Sequence, residues 1–363
     1  MTTSIIRGDR LMPAAQEAWG ALHQKSDSQN PFTHPAWCTT WAQFYAPDRL
    51  RLLTDFDDDG DLRAILPLAA TGRSGRHWAT AGSPFADFGD PLVAGELQPG
   101  ETVAQMLAET REQWNSVALG GLSESVVGDL ATAGHRHGLN VRIIGTEICP
   151  RVAAPPSKPW LESLSQTRRR RIAVARRMVG ERLAAVFRVA ETPETIPAAV
   201  WRCEKLRLQS WWQRNRLGQL PSAVRTSQHS RFLVAACTRL AEHGCAAVVE
   251  LTAGERLLAA AVLLHSGGST LLAMKATDTR LGTRFSPGLV LDAFIMDRAA
   301  SRGSGIVEFG RGDEPYKFTL GAQPALRYHV LVVQGAAYGA RLRFDAQRRL
   351  AELEYAWRMR HSA

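Results

Sequence analysis

No apolar run in the 363 residues approaches the roughly 18 needed to cross a bilayer, and the N-terminus lacks a basic stretch followed by an apolar core. The expectation is a chain with no transmembrane segment, in the cytoplasm. Cysteine is scarce. Cys38, Cys149, Cys203, Cys237 and Cys245 are scattered, with no CxxC pair and no histidine at finger spacing, which points to reduced thiols and no structural zinc. His135 and His137 precede Gly138, where histidines help to cap a helix, so no metal is expected there. No segment combines low hydrophobicity with a long charge block, which excludes extended disorder.

What is present is ordinary globular composition, 45% hydrophobic and 22% charged, in a length that suggests two domains. The formal net charge of +9 favours an anionic partner: a nucleotide, a phosphosugar, tRNA or a membrane surface.

Periodicity gives the elements in order. Helices are expected at Pro13–Leu22 and Pro35–Tyr45, with Trp37, Trp41 and Phe44 as core. Strands follow at Leu50–Phe56 and Leu62–Ala70 around the acidic turn Asp57–Gly60, read as a hairpin, and then near Trp78–Ala81. A turn-rich loop runs from Ser83 to Pro91. Helices at Thr102–Trp114 and Ser123–His137 flank a strand near Val117–Leu119, and Leu139–Ile144 closes the half. Ala153–Pro159 reads as the boundary. Beyond it Trp160–Val179 is a basic helix, with Leu161, Leu164, Ile172, Ala175 and Val179 on one face and Arg170 and Arg177 opposite. It suits a solvated helix across the junction, or a surface meeting phosphates. A strand at Ala184–Ala190 and helices at Ile196–Trp212 and Val224–His243 come next. Three strands, Cys245–Leu251, Leu257–His265 and Thr270–Thr277, precede the helix Pro287–Arg302. Strand Gly305–Phe309, a short helix Glu314–Leu320, strand Leu326–Val333 and an amphipathic helix Phe344–Arg360 finish the chain. Each half repeats the order strand, two helices, three strands, helix, strand, helix, strand, so mixed α/β layers are expected in duplicate.

Local chemistry concentrates between Leu271 and Gly321. Ser286 suits an N-cap, Pro287 the first helical position, and Gly288 exposes backbone, so this helix start suits an anion. The bland alternative is an ordinary cap.

Asn30, Pro31 and Phe32 with Trp37 and Trp41; Leu66, Pro67, Leu68; Asp87–Pro91; Arg168 and Arg171; Ser286, Pro287, Gly288; and Arg311 through Lys317 together resemble the CelD/BcsL-like acetyltransferases of the GNAT superfamily, whose tandem architecture is also that of the FemABX aminoacyl transferases. The resemblance implies a mixed α+β fold of two tandem GNAT (acyl-CoA N-acyltransferase) domains. Residues 1–152 would serve the acceptor and support, 160–335 donor binding and catalysis, and 340–363 a C-terminal helix. It implies transfer of an acyl group from acetyl-CoA or another acyl-CoA, the co-substrate, to an amine. The acceptor would be a small molecule or saccharide: an aminosugar, an envelope or polysaccharide precursor, or a secondary-metabolite precursor. Pantetheine would lie between splayed strands, one ending near Lys275 and one beginning near Ile306. The glycine-rich phosphate loop common in such domains is absent in its standard form, and Arg284, Phe285, Ser286, Pro287 and Gly288 stand in its place, with Lys275, Ala276 and Thr277 completing the donor site.

Acyl transfer needs a neutral nucleophile, an oxyanion donor and a proton for the thiolate. Backbone N–H groups at Met274–Thr277 are candidate oxyanion donors. Asp313 and Glu308 are candidate bases, Tyr316 a candidate proton donor, and Lys317 or Lys275 a candidate clamp. Each has a structural alternative: Asp313 a helix cap, Lys317 a salt bridge, Glu308 a solvated strand end, Lys275 an edge residue. Asp87, Asp90, Trp211 and Arg311 are candidates for the acceptor. No metal and no DNA are expected. Two other readings remain open: an aminoacyl-tRNA-dependent FemX-like transferase, gripped by the basic helix, and a non-catalytic scaffold in polysaccharide assembly.

Overall fold

Proline sets the first helical position of three of the four long helices in the N-terminal half, where its missing N–H costs nothing. The computed structural model describes residues 2–26, 30–153, 159–214, 227–281 and 285–334, with backbone alone at 211–214 and 227. The expected helix at 344–360 lies outside the described residues, as do Arg284 and 224–226. The chain divides into two units, 1–148 with 326–363, and 149–325.

The first unit runs β1 (Thr2–Arg7), α1 (Pro13–Lys25), α2 (Pro35–Tyr45), β2 (Leu50–Phe56), β3 (Leu62–Thr71), β4 (His77–Thr80), β5 (Leu92–Val93), α3 (Pro99–Glu109), β6 (Ser116–Leu122), α4 (Glu124–Arg136) and β7 (Leu139–Ile148). The Asp57–Gly60 turn is a hairpin as expected: Gly60 has φ +86°, and Asp57 Oδ1 accepts the N–H of Asp59 and Asp61. β4 and β6 are parallel neighbours. α3 and α4 cover one face of the sheet around Trp114, Leu107, Leu119 and Leu130. Trp37 and Trp41 are buried, as their spacing predicts.

The second unit contains β8 (Arg151–Ala153), α5 (Gln166–Leu183), β9 (Val186–Ala190), α6 (Ile196–Arg214), α7 (Ser227–Ala241), β10 (Ala246–Ala253), β11 (Arg256–Ser266), β12 (Ser269–Thr277), α8 (Pro287–Ser301), β13 (Ile306–Glu308) and α9 (Pro315–Thr319). Its sheet has the order β8-β13-β12-β11-β10-β9. α5 starts at Ser165, whose hydroxyl accepts the Arg168 N–H, and buries Ile172, Ala175 and Val179 while Arg170 and Arg177 stay exposed. That is the split its sequence predicts for Ile172, Ala175 and Val179, but the helix begins at Gln166 and not at Trp160, so Leu161 and Leu164 precede it.

One expectation about the halves differs from the strand pairing. The strand β14 (Leu326–Gln334) lies between β6 and β7 in the first unit's sheet, antiparallel to both, and is not part of the second unit. Val330 and Val332 join the core formed by Val117, Leu119 and Leu130. Alternation in sequence marks a strand but not its neighbour. The strands β1, β5 and β8 carry too little alternation to have been expected.

Candidate active site

β12 and β13 run parallel but pair only between Ser269–Leu271 and Ile306–Glu308. β13 ends there, while β12 continues to Thr277, so among the described residues no strand covers that edge of Leu272–Thr277. The register with β11 shifts where Leu263 faces Leu272 and Val262 faces Met274, leaving Ala273 as a bulged residue. Beyond the bulge, alternate backbone groups of Met274–Thr277 point away from β11 toward the open edge, where an extended ligand can pair as an extra strand would. The splayed strands expected near Lys275 and Ile306 are therefore present, and they part immediately after Leu271.

α8 begins at this open end. A methyl group added to Gly288 would lie 3.0 Å from Thr277 Oγ1, so glycine lets the first turn of α8 pack onto the last residue of β12. Ser286 differs from a standard N-cap. It sits in the left-handed region, φ 44° and ψ 53°, without a side-chain cap bond, and its carbonyl accepts the N–H of Leu289 and Val290. A non-glycine residue there costs roughly 1–2 kcal/mol, a strain of the kind that collects at ligand sites. Pro287 is buried and Phe285 packs on the core edge.

Two more candidates, Lys275 on this strand and Tyr316, meet at one point with a third residue, Asp292. Lys275 Nζ lies 2.9 Å from each carboxylate oxygen of Asp292 on α8 and 3.7 Å from the centre of the Tyr316 ring on α9. Its three donors are directed at these two groups, so Lys275 is occupied by the protein and not poised as a ligand clamp. Burial raises the Asp292 carboxyl despite the lysine, and raises the Tyr316 phenol further with help from Asp292 and Glu314. Asp292 escaped the sequence reading, although an acid between Leu291 and Ala293 on a buried helix face is itself a signal.

Lys317 is 2% exposed. It donates to the carbonyls of Arg311 and Gly312 at 2.6 and 3.0 Å and pairs with Glu314 at 2.8 Å. Its ammonium thus folds the 311–314 loop, with Gly312 at φ +100°. Arg311 is half-buried and contributes its carbonyl to this arrangement. Asp313 is exposed, and Glu314 takes the N-cap position of α9 in its place. Glu308 is buried at the end of β13, not solvated.

The acceptor candidates are not brought together. Trp211 lies near the end of α6, and only its backbone is described. Asp90 is structural: Oδ1 accepts the Ser123 N–H at the start of α4 and Oδ2 takes Arg327 Nη1, both at 2.7 Å. Asp87 is half-buried in the Ser83–Pro91 loop. Among the described residues no group of His, Cys, Asp and Glu could hold a metal.

The first unit's counterpart of the open edge is filled by its own chain. β4 and β6 stop pairing at Ala79 and Ala118. Beyond that point Thr80 Oγ1 accepts the Gly120 N–H at 2.9 Å, and the Gly89 N–H donates to the Gly121 carbonyl at 3.1 Å. A methyl group on Gly89 would lie 2.1 Å from the Gly120 oxygen. Gly89→Ala is therefore expected to destabilise the first unit by about 3 kcal/mol or more, read as an earlier calorimetric transition. An unchanged transition would mean the loop is not packed as described.

Residues 166–318 match the family model of the acetyltransferase (GNAT) domain. That span lies within the second unit, and the chain has a mixed α/β fold in two units. No curated protein sequence matches the chain. Among solved structures it is similar to FemX, with TM-score 0.64, 10% identity, and coverage of 92% of this chain and 97% of that one. It is also similar to L-PGS from Bacillus licheniformis, with TM-score 0.55, 14% identity and coverage of 93% and 96%. A conserved protein of unknown function from Bacteroides thetaiotaomicron gives TM-score 0.58, 12% identity and coverage of 88% and 97%. At such identities these likenesses concern the fold alone.

Proposed function

We propose that the protein is a cytoplasmic, CelD/BcsL-like N-acyltransferase that moves an acetyl or longer acyl group from acyl-CoA to an amine. The acceptor would be an aminosugar, an envelope or polysaccharide precursor, or a secondary-metabolite precursor. The observation that carries this reading is the open edge of β12 meeting the start of α8 in the second unit, against the filled counterpart in the first. The pantetheine would lie along Met274–Thr277, whose outward N–H groups hydrogen-bond its amides and stabilise the oxyanion. The pyrophosphate would dock at the first turn of α8, with Phe285, Ser286, Pro287 and Gly288 around it. Tyr316, held neutral, supplies the proton for the thiolate. Lys317 shapes the 311–314 loop that presents Arg311 and the exposed Asp313, the latter as base for the amine, with Glu308 the second candidate base. Holding both substrates side by side lowers much of the barrier.

A thermal-shift series with acetyl-CoA and longer acyl-CoA tests it. At a hundred times Kd the ligand should stabilise by about 2.7 kcal/mol, and calorimetry should give one site per chain. No shift with any acyl-CoA, or two equal sites, would overturn the reading.

A specific observation favours a second reading, an aminoacyl-tRNA donor. Residues 149–325 hold 26 Lys and Arg against 14 Asp and Glu, and on α5 Arg168, Arg169, Arg170, Arg171, Arg177 and Arg182 are all exposed. Binding of tRNA that falls steeply with salt, without competition from free coenzyme A, would select it.

A further inference from the structure

The Lys275–Asp292 pair is more elaborate than stability requires. An ion pair buried to this degree, with Asp292 4% exposed and the Lys275 side chain 16%, is commonly replaceable by apolar residues at no net cost. It also joins three elements at one point. Lys275 stands on the open stretch of β12, Asp292 lies about 7.5 Å along α8 from Pro287, and Tyr316 belongs to α9. A planar carboxylate fixes two of the ammonium's N–H directions and leaves the third for the ring face, so the position of the ring follows from the position of Asp292.

We propose that Asp292 is a positioning residue: through Lys275 it holds Tyr316 beside the open edge of β12, where the phenol gives its proton to the departing thiolate. This rests on the acyl-transfer reading above. In the step concerned, the amine nitrogen has formed its bond to the acyl carbon and loses a proton to Asp313 or water. The tetrahedral intermediate collapses, the C–S bond breaks with its electron pair on sulfur, and sulfur takes the proton from Tyr316 Oη. The phenolate regains a proton from solvent, so the balance is thioester plus amine to amide plus thiol. The nearby ammonium stabilises the phenolate while it lasts. Asp292 touches neither substrate and acts only through Lys275.

The test uses the full chain with acetyl-CoA and hydroxylamine as a small generic amine, following thiol release, with coenzyme A affinity measured separately. Asp292→Asn should lower kcat by roughly 30-fold or more, within the range for losing acid catalysis, while coenzyme A Kd moves less than about threefold. Asp292→Asn removes the charge and is expected to lower Tm, so the apolar pair Lys275→Met with Asp292→Leu is the control. It should recover the Tm and leave kcat low. Recovery of both Tm and kcat in the apolar pair, or an Asp292→Asn kcat within twofold of the parent, would overturn the proposal while the acyl-transfer reading stands. A parent protein that binds acetyl-CoA yet releases no thiol above the uncatalysed rate would overturn both.

Discussion

Lys317→Met is expected to cost the second unit about 3–5 kcal/mol and to abolish turnover. The methionine fills the space but leaves the Arg311 and Gly312 carbonyls without their donor. Each unpaired buried acceptor costs about 1–3 kcal/mol, and Glu314 loses its counter-charge. At roughly 2–4 °C per kcal/mol, the transition of the second unit should fall by about 10 °C. Lys317→Arg should rescue little, because a planar fork cannot aim at two carbonyls and a carboxylate arranged around a compact ammonium. Differential scanning calorimetry decides. A shift below about 3 °C would mean that the lysine is dispensable to the loop and is kept for chemistry alone.

Acidification should unfold the second unit well before its carboxylates are fully protonated. His265 lies at the end of β11, its Nδ1 3.1 Å from Thr270 Oγ1, which in turn lies 2.9 Å from Ser304 Oγ. Burial pushes its pKa down to about 3, with Arg302 and Arg298 adding to the effect. His229 is pushed down to about 4, again chiefly by burial, against the pull of Glu204. The unfolded chain protonates both near pH 6.5, whereas the folded chain stays neutral at both until about pH 4 or below. Their contribution is therefore complete above pH 6.5 and is lost as pH falls toward 4 and 3. At pH 4.5, two units below the unfolded value, the loss is on the order of 5 kcal/mol for the two together, a large share of a typical domain's stability. Asp292 works in the opposite direction, since burial raises its carboxyl. Urea unfolding as a function of pH should show a slope approaching two protons between pH 5.5 and 4.5. His265→Gln, which keeps a partner for Thr270 and cannot titrate, should remove one of them. A slope unaltered by that substitution would assign the acid sensitivity elsewhere.

Local features were legible in the sequence wherever the physics is local. The helix-starting prolines, the Asp57–Gly60 turn, the buried stripe of α5 and the run of strands after Gly244 follow from backbone preference and periodicity, and the structure places them where the residues predict. Partner choice over long range was not legible. Val330 and Val332 alternate like any half-buried strand, and nothing in them specifies insertion between β6 and β7. Asp90 reads as a loop carboxylate available to a ligand until Arg327, 237 residues away, is seen to take it. The charged residues of the site were named as types, but their assignments depended on distance: Lys275 needs Asp292, and Lys317 needs the carbonyls of its own loop. Ser286 was expected as a hydroxyl cap, and the structure gives instead a strained backbone that turns the chain into α8.

The insertion of β14 bears on the order in which the chain can acquire structure during synthesis. Residues 149–325 form a contiguous stretch of chain. The N-terminal unit, though made first, has a gap between β6 and the edge strand β7 until residues 326–334 arrive, because β6 and β7 meet only through β14. The earliest-made half is thus completed last, and for most of translation its β6 and β7 edges are exposed to whatever else can pair with them.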